Sequence, residues 1–76
     1  MMGTKNKPAT FDCYANAKPD EPMFILLGRD PGAGSLVRRW ASDREARGED
    51  PAKVADARAC ADAMDEWARS LGKVPR

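Results

Sequence analysis

Asp20-Glu21-Pro22-Met23-Phe24-Ile25-Leu26-Leu27-Gly28-Arg29-Asp30-Pro31, continuing through Gly32-Ala33-Gly34-Ser35 to Trp40, decides how this chain is read. It joins an acidic, proline-marked turn to the longest apolar run, then a glycine-rich corner and a helix start. Met23 to Gly28 lies between proline and glycine boundaries too close together for a helix, and Phe24 and Ile25 favour pleated geometry, so the run predicts a β-strand. Because every position from Met23 to Leu27 is apolar, that strand is expected to be buried on both faces. A lone strand cannot satisfy its own backbone groups. It would pair with Phe11 to Tyr14 or with the same strand of another subunit.

C-terminal to this run the signals are helical. Asp30-Pro31 reads as an Asp N-cap with proline at the first helical position, with Ser35 as a second possible cap. Ala33, Leu36, Val37, Trp40 and Ala41 follow the spacing of a one-sided amphipathic helix, which Gly48 ends. Arg44 and Arg47 continue the apolar stripe, Arg38 is expected on the opposite side, and Arg39, Asp43 and Arg47 can exchange surface ion pairs. Asp50-Pro51 repeats the start signal, and Gly72 with Pro75 closes a second helix from about Pro51 to Leu71. Its seam is Val54, Ala57, Ala61, Met64, Ala68 and Leu71, widened by Cys60 and Trp67. The two helices should form an antiparallel hairpin. Ala52, Ala55, Ala59 and Ala63 make a second stripe that reflects helix propensity or a contact with another subunit.

N-terminal to the run, residues 1–9 show no period and read as a flexible tail, with 10–72 a single domain and 73–76 a C-terminal tail. Thr10 to Ala17 is either a short strand around Phe11 and Tyr14 or a one-turn helix capped by Thr10 and ended by Lys18-Pro19. Pro19 to Pro22 is a turn. The expected class is therefore α/β, mostly α: a short N-terminal helix or strand, one buried β-strand that pairs across a homo-oligomer, and a helical hairpin.

The 76 residues make one domain with a marginal core, so a stabilising partner is expected. The chain has no histidine and only two cysteines, Cys13 and Cys60, forty-seven positions apart, which argues against a metal site and leaves oligomerisation as the favoured device. The cysteines read as reduced thiols of a cytoplasmic protein, with a Cys13–Cys60 disulfide as the alternative if the chain is exported. No run reaches the ~20 apolar residues of a membrane span. Thirteen basic against twelve acidic residues leave a net charge of +1, too balanced for a dedicated duplex DNA binder.

The loop from Gly28 to Ser35 fails both phosphate-loop templates. Five residues separate Gly28 from Gly34 with no lysine after, and Val37 stands where a dinucleotide fingerprint needs its third glycine. With no histidine base, no G-x-S-x-G elbow and no metal set, the chain is not expected to be an enzyme. Eight of the thirteen cations are arginine, the residue suited to bidentate contact with phosphate or carboxylate. Arg29, Arg38, Arg39, Arg44 and Arg47, with Trp40 as a stacking platform, are the candidate ligand-binding residues. No cofactor is implied.

Glu21-Pro22-x-Phe24-x-Leu26-x-x-Arg29-Asp30-Pro31 followed by Leu36-Val37-Arg38-x-Trp40-Ala41 resembles a group of small, mostly uncharacterised proteins of tailed phages and prophages. Ala55-Asp56-Ala57-Arg58 and Met64-Asp65-Glu66-Trp67 match more loosely. By analogy of gene type the resemblance implies a homo-oligomeric counter-defence protein in the cytoplasm of an infected host, sequestering a nucleotide immune signal in arginine-lined pockets between subunits. The other expectation is a protein-interaction module that inhibits a host or phage protein through an exposed helix face or strand edge.

Overall fold

A computed structural model describes residues 3–7 and 13–76. Three helices are present among them: α1 Cys13–Asn16, α2 Ala33–Ala46 and α3 Pro51–Ser70. No strand is present among the described residues, so the expected α/β class is corrected to all-α, and with it the strand that was to pair across subunits. Over residues 13–16 the helical alternative is the one observed, while Thr10 and Phe11 lie outside the described residues.

The hairpin forms for the reasons local chemistry supplies. At the start of α3 the Asp50 carboxylate accepts from Ala52 N at 2.9 Å and Pro51 occupies the first turn, where its missing N–H costs nothing. Both helices end alike. Gly48 (φ 82°) and Gly72 (φ 78°) take the left-handed conformation that glycine adopts without penalty. Glu49 N then donates to Arg44 O, and Lys73 N to Ala68 O, closing the last turns.

The start of α2 lies later than expected. The Asp30 carboxylate accepts from Gly32 N at 2.8 Å, while the Asp30 carbonyl accepts from Ala33 N at 3.1 Å. That local turn uses the bonds an N-cap would have made, and the helix begins at Ala33 behind Gly32, which has no side chain to cap it.

One cluster of apolar side chains holds α2 on α3. Val37, Ala41, Val54, Ala57 and Ala61 form the buried cluster, with Leu26, Trp40 and Met64 packed against it. The core is thin. Of the eight buried apolar residues five are alanine, and Val54 is the one large side chain that is fully enclosed. Leu36, Trp67 and Leu71, expected in the seam, are each half exposed or more. Ala52, Ala55, Ala59 and Ala63 face solvent.

At about 100° per residue, the neighbours of each core stripe fall on two opposite flanks of the hairpin. One flank is polar: Arg38 bridges to Asp62 and Asp65, and Arg58 to Glu45. The other is apolar, carrying Leu36 and Trp40 from α2 and Cys60, Met64, Trp67 and Leu71 from α3.

The expected strand lies against this apolar flank as irregular extended chain. Lys18 to Glu21 closes a turn through Glu21 N to Lys18 O (3.0 Å) and Lys18 N to Glu21 Oε1 (3.0 Å). Met23 to Leu26 then make no backbone hydrogen bond among the described residues. Only Leu26 turns inward to the core. Phe24 is 87% exposed and Ile25 62%, the reverse of the two-sided burial expected. The segment crosses α3 at Gly28, where an added Cβ would stand 3.4 Å from Trp67 Cβ and Cδ1.

Candidate functional site

Between the extended segment and the apolar flank lies an open cleft of about 600 Å³. Its floor is Val37 from α2 with Cys60 and Met64 from α3. Met23 to Leu27 and α1, through Cys13 and Tyr14, form its walls, and Gly3, Thr4 and Lys5 close one end. Thr4 and Lys7 hold that end in a turn, with Thr4 N to Lys7 O at 2.9 Å and Lys7 N to Thr4 Oγ1 at 3.0 Å. Lys5 is the single charged residue of the lining among the described residues. Tyr14, 73% exposed, stands with Phe24 and Ile25 as an apolar rim projecting into solvent beside the hollow.

The described lining of the cleft is mostly apolar. Among the described residues no nucleophile–base pair lines it and no group of three or more metal-ligating side chains occurs. The two cysteines are both thiols, Cys13 exposed and Cys60 buried. Burial pushes the Cys60 thiol above its ordinary value, so near neutral pH it is protonated and a weak nucleophile.

None of the six arginine and tryptophan residues expected to bind a ligand lines this cleft, and they do not converge elsewhere. Arg38 is turned toward α3 rather than away from it: its Nη2 lies 2.7 Å from Asp62 Oδ1 and 2.7 Å from Asp65 Oδ2. Those hydrogen bonds, Asp62 first and Asp65 second, raise the guanidinium further above its already high value, so Arg38 is a fixed cation between two carboxylates. Arg47 Nε is 3.1 Å from Asp43, an exposed pair. Arg44 sits with its guanidinium carbon 5.6 Å from the centre of the half-buried Trp40 ring. Arg39 is exposed and makes no ion pair with a described residue. Arg29 projects from the corner before α2, where its carbonyl accepts from Lys73 Nζ at 2.8 Å. Arg76 N donates to Pro31 O at 2.8 Å, and Ser35 Oγ donates to Arg76 O, laying residues 73–76 against the start of α2.

The polar flank contains two features that sequence reasoning missed. Asp65 is buried, with its carboxylate against the Gly34 backbone. Arg58 makes a two-pronged bond to Glu45, at 3.0 and 3.1 Å, which holds the Glu45 carboxyl below its ordinary range. Both cross between helices, so their signal is the hairpin register.

No helix among the described residues is long and apolar enough to cross a membrane. No family model matches the chain, and neither a curated protein nor a solved structure does.

Proposed function

We propose that this chain is a protein-interaction module that self-associates through its apolar flank, and that its work is binding rather than catalysis. One observation carries the reading: Tyr14, Met23, Phe24, Ile25 and Leu27 are all exposed around one cleft whose described lining is apolar apart from Thr4 and Lys5. At about 150–250 Å² per aromatic side chain, these residues offer solvent on the order of 600 Å². That is at the upper end of the roughly 300–600 Å² largest apolar patch of a typical monomer, and about three-quarters of the ~800 Å² each partner contributes to a standard interface.

A second copy of the chain is the occupant proposed for this face. Rim and hollow lie side by side, so a two-fold rotation would bring the exposed Phe24 and Ile25 of each copy toward the other's cleft. Among the described lining residues Lys5 is the one charged side chain, so two copies meeting through this face bring few like charges together. Side chains do the packing, and no ladder between strands is involved. The thin alanine core supports the same conclusion, because a partner present whenever the chain folds supplies the apolar burial the monomer lacks.

Light scattering on purified protein, with F24D/I25D as the control, tests this. A dimer or larger assembly that the double substitution dissolves supports it. A monomeric parent chain that instead captures a stoichiometric host or phage protein transfers the face to a foreign partner.

A second reading, sequestration of a phosphorylated nucleotide by the assembled protein, is favoured by Arg44 over Trp40 beside the exposed Arg39. Assembly would have to gather these cations from separate copies. A thermal shift with cyclic or ADP-ribose-type nucleotides supports it, and an unchanged melting temperature counts against it.

A further inference from the structure

The extended segment beside the cleft carries opposite charge at its two ends. At the first is the turn from Lys18 to Glu21, where Asp20 and Glu21 are exposed. At the second is the corner before α2, where Arg29 is exposed and Lys73 Nζ and Arg76 N donate to the Arg29 and Pro31 carbonyls, both at 2.8 Å. Between the ends, Met23, Phe24, Ile25 and Leu27 are exposed and apolar. From this order of acid, apolar run and base we infer that the second copy lies antiparallel across the segment, so that Asp20 of each copy meets Arg29 of the other. The inference rests on the proposed self-association and adds its orientation and the ion pair that fixes it.

The two charges are available for such a contact. Neither Asp20 nor Arg29 forms an ion pair with a described residue. Their acidic neighbours serve their own turns, Glu21 accepting from Lys18 N at 3.0 Å and Asp30 from Gly32 N at 2.8 Å. At the first end the side chains of Asp20 and Glu21 outweigh Lys18, and at the second those of Arg29, Lys73 and Arg76 outweigh Asp30. Lys5 and Lys7 lie outside the segment, in the turn at one end of the cleft.

Symmetry makes the pairing reciprocal. In a two-fold contact, if one residue meets another across the interface, the second meets the first as well, so the Asp20–Arg29 pair occurs twice in each dimer. Positions 20 and 29 are equidistant along the chain from the Phe24–Ile25 peptide bond. The axis therefore passes at the two most exposed apolar side chains of the segment, Phe24 at 87% and Ile25 at 62%. A parallel arrangement would set Asp20 on Asp20 and Arg29 on Arg29, and both contacts repel. The apolar middle supplies affinity, and the charged ends choose between two ways of covering it.

The test is a charge swap on the full chain, read by native mass spectrometry and light scattering, with helical circular dichroism as the check on folding. D20K and R29E should each raise the dissociation constant of the dimer by about tenfold, because like charges then meet twice. Mixing the two variants should restore association as a heterodimer, distinguished by mass, in which both contacts are again attractive. The swapped chain D20R/R29D should dimerise by itself. A parent dimer whose association is unchanged by either single variant overturns the antiparallel pairing and leaves self-association standing. Weakened variants that the mixture fails to restore overturn it as well, as does a parent assembly larger than a dimer. A parent chain that is monomeric, with F24D/I25D indistinguishable from it, overturns self-association and the pairing together.

Discussion

Gly34 and Asp65 occupy one piece of space. A Cβ on Gly34 would stand 2.9 Å from Asp65 Cγ and 3.0 Å from Ala61 O, so the first turn of α2 reaches α3 only because position 34 has no side chain. The buried Asp65 carboxylate fills the room that remains and fixes Arg38 from below. This contact sets the crossing of the hairpin at one end, as Glu45 and Arg58 set it toward the other.

Gly34→Ala is therefore expected to destabilise the fold although alanine is the better helix former. Helix propensity favours the change by up to ~1 kcal/mol, and forced displacement of packed backbone costs about 1–3 kcal/mol. Chemical denaturation should show a net loss, larger again for Gly34→Leu. Gly48→Ala separates this effect from conformational preference. There the left-handed φ is the whole objection and nothing lies within 4 Å, so a loss of about 1 kcal/mol is expected.

The two acids beside Arg38 should not be equivalent. Asp62 has a side chain 75% exposed and Asp65 one 10% exposed, while Arg38 itself is 40% exposed. Solvent screens the Asp62 bridge, and Asp62→Ala should change stability by less than ~0.5 kcal/mol. Asp65→Ala opens a cavity beside Gly34 and removes the better-shielded bond. A cost of about 1–2 kcal/mol is expected, kept below that of a fully buried pair because Arg38 still reaches water and Asp62. Denaturation midpoints of the two variants decide the order.

Cys60 gives the stability a dependence on alkaline pH. Burial raises its folded-state value, so the folded chain holds the proton over a range in which the unfolded chain has lost it. The contribution is intact below the unfolded thiol value of about 8.5 and is lost as pH rises from there through the folded value. Denaturation at about pH 7 and about pH 10 should show a decline that Cys60→Ala reduces. Iodoacetamide should label Cys13 well before Cys60 in the native chain, and both at similar rates in denaturant.

Legibility in the sequence followed the range of the interaction. Asp50-Pro51, Gly48 and Gly72 act within a turn of themselves, and α3 with both helix ends was readable from them. Asp30-Pro31 looked the same but differed, because an Asp carboxylate serves a local turn as readily as an N-cap, and the bond to Gly32 N won. Met23 to Leu27 read as a strand because an apolar run between proline and glycine has that composition. What strand formation needs is a hydrogen-bonding neighbour, and no run of residues announces one. The chain lies instead across Met64 and Trp67, with Phe24 and Ile25 outward. Arg38 was placed on the wrong side for a related reason: its partners are twenty-four and twenty-seven positions away, and only the hairpin register brings them near.

The apolar rim around the cleft is the central claim, and native mass spectrometry of the reduced chain at micromolar concentration tests it most directly, alongside F24D/I25D. The account predicts a dimer or closed higher assembly for the parent chain and a monomer of unchanged helical circular dichroism for the double variant. A parent chain that is monomeric across the accessible concentration range, with the variant indistinguishable from it, contradicts the account.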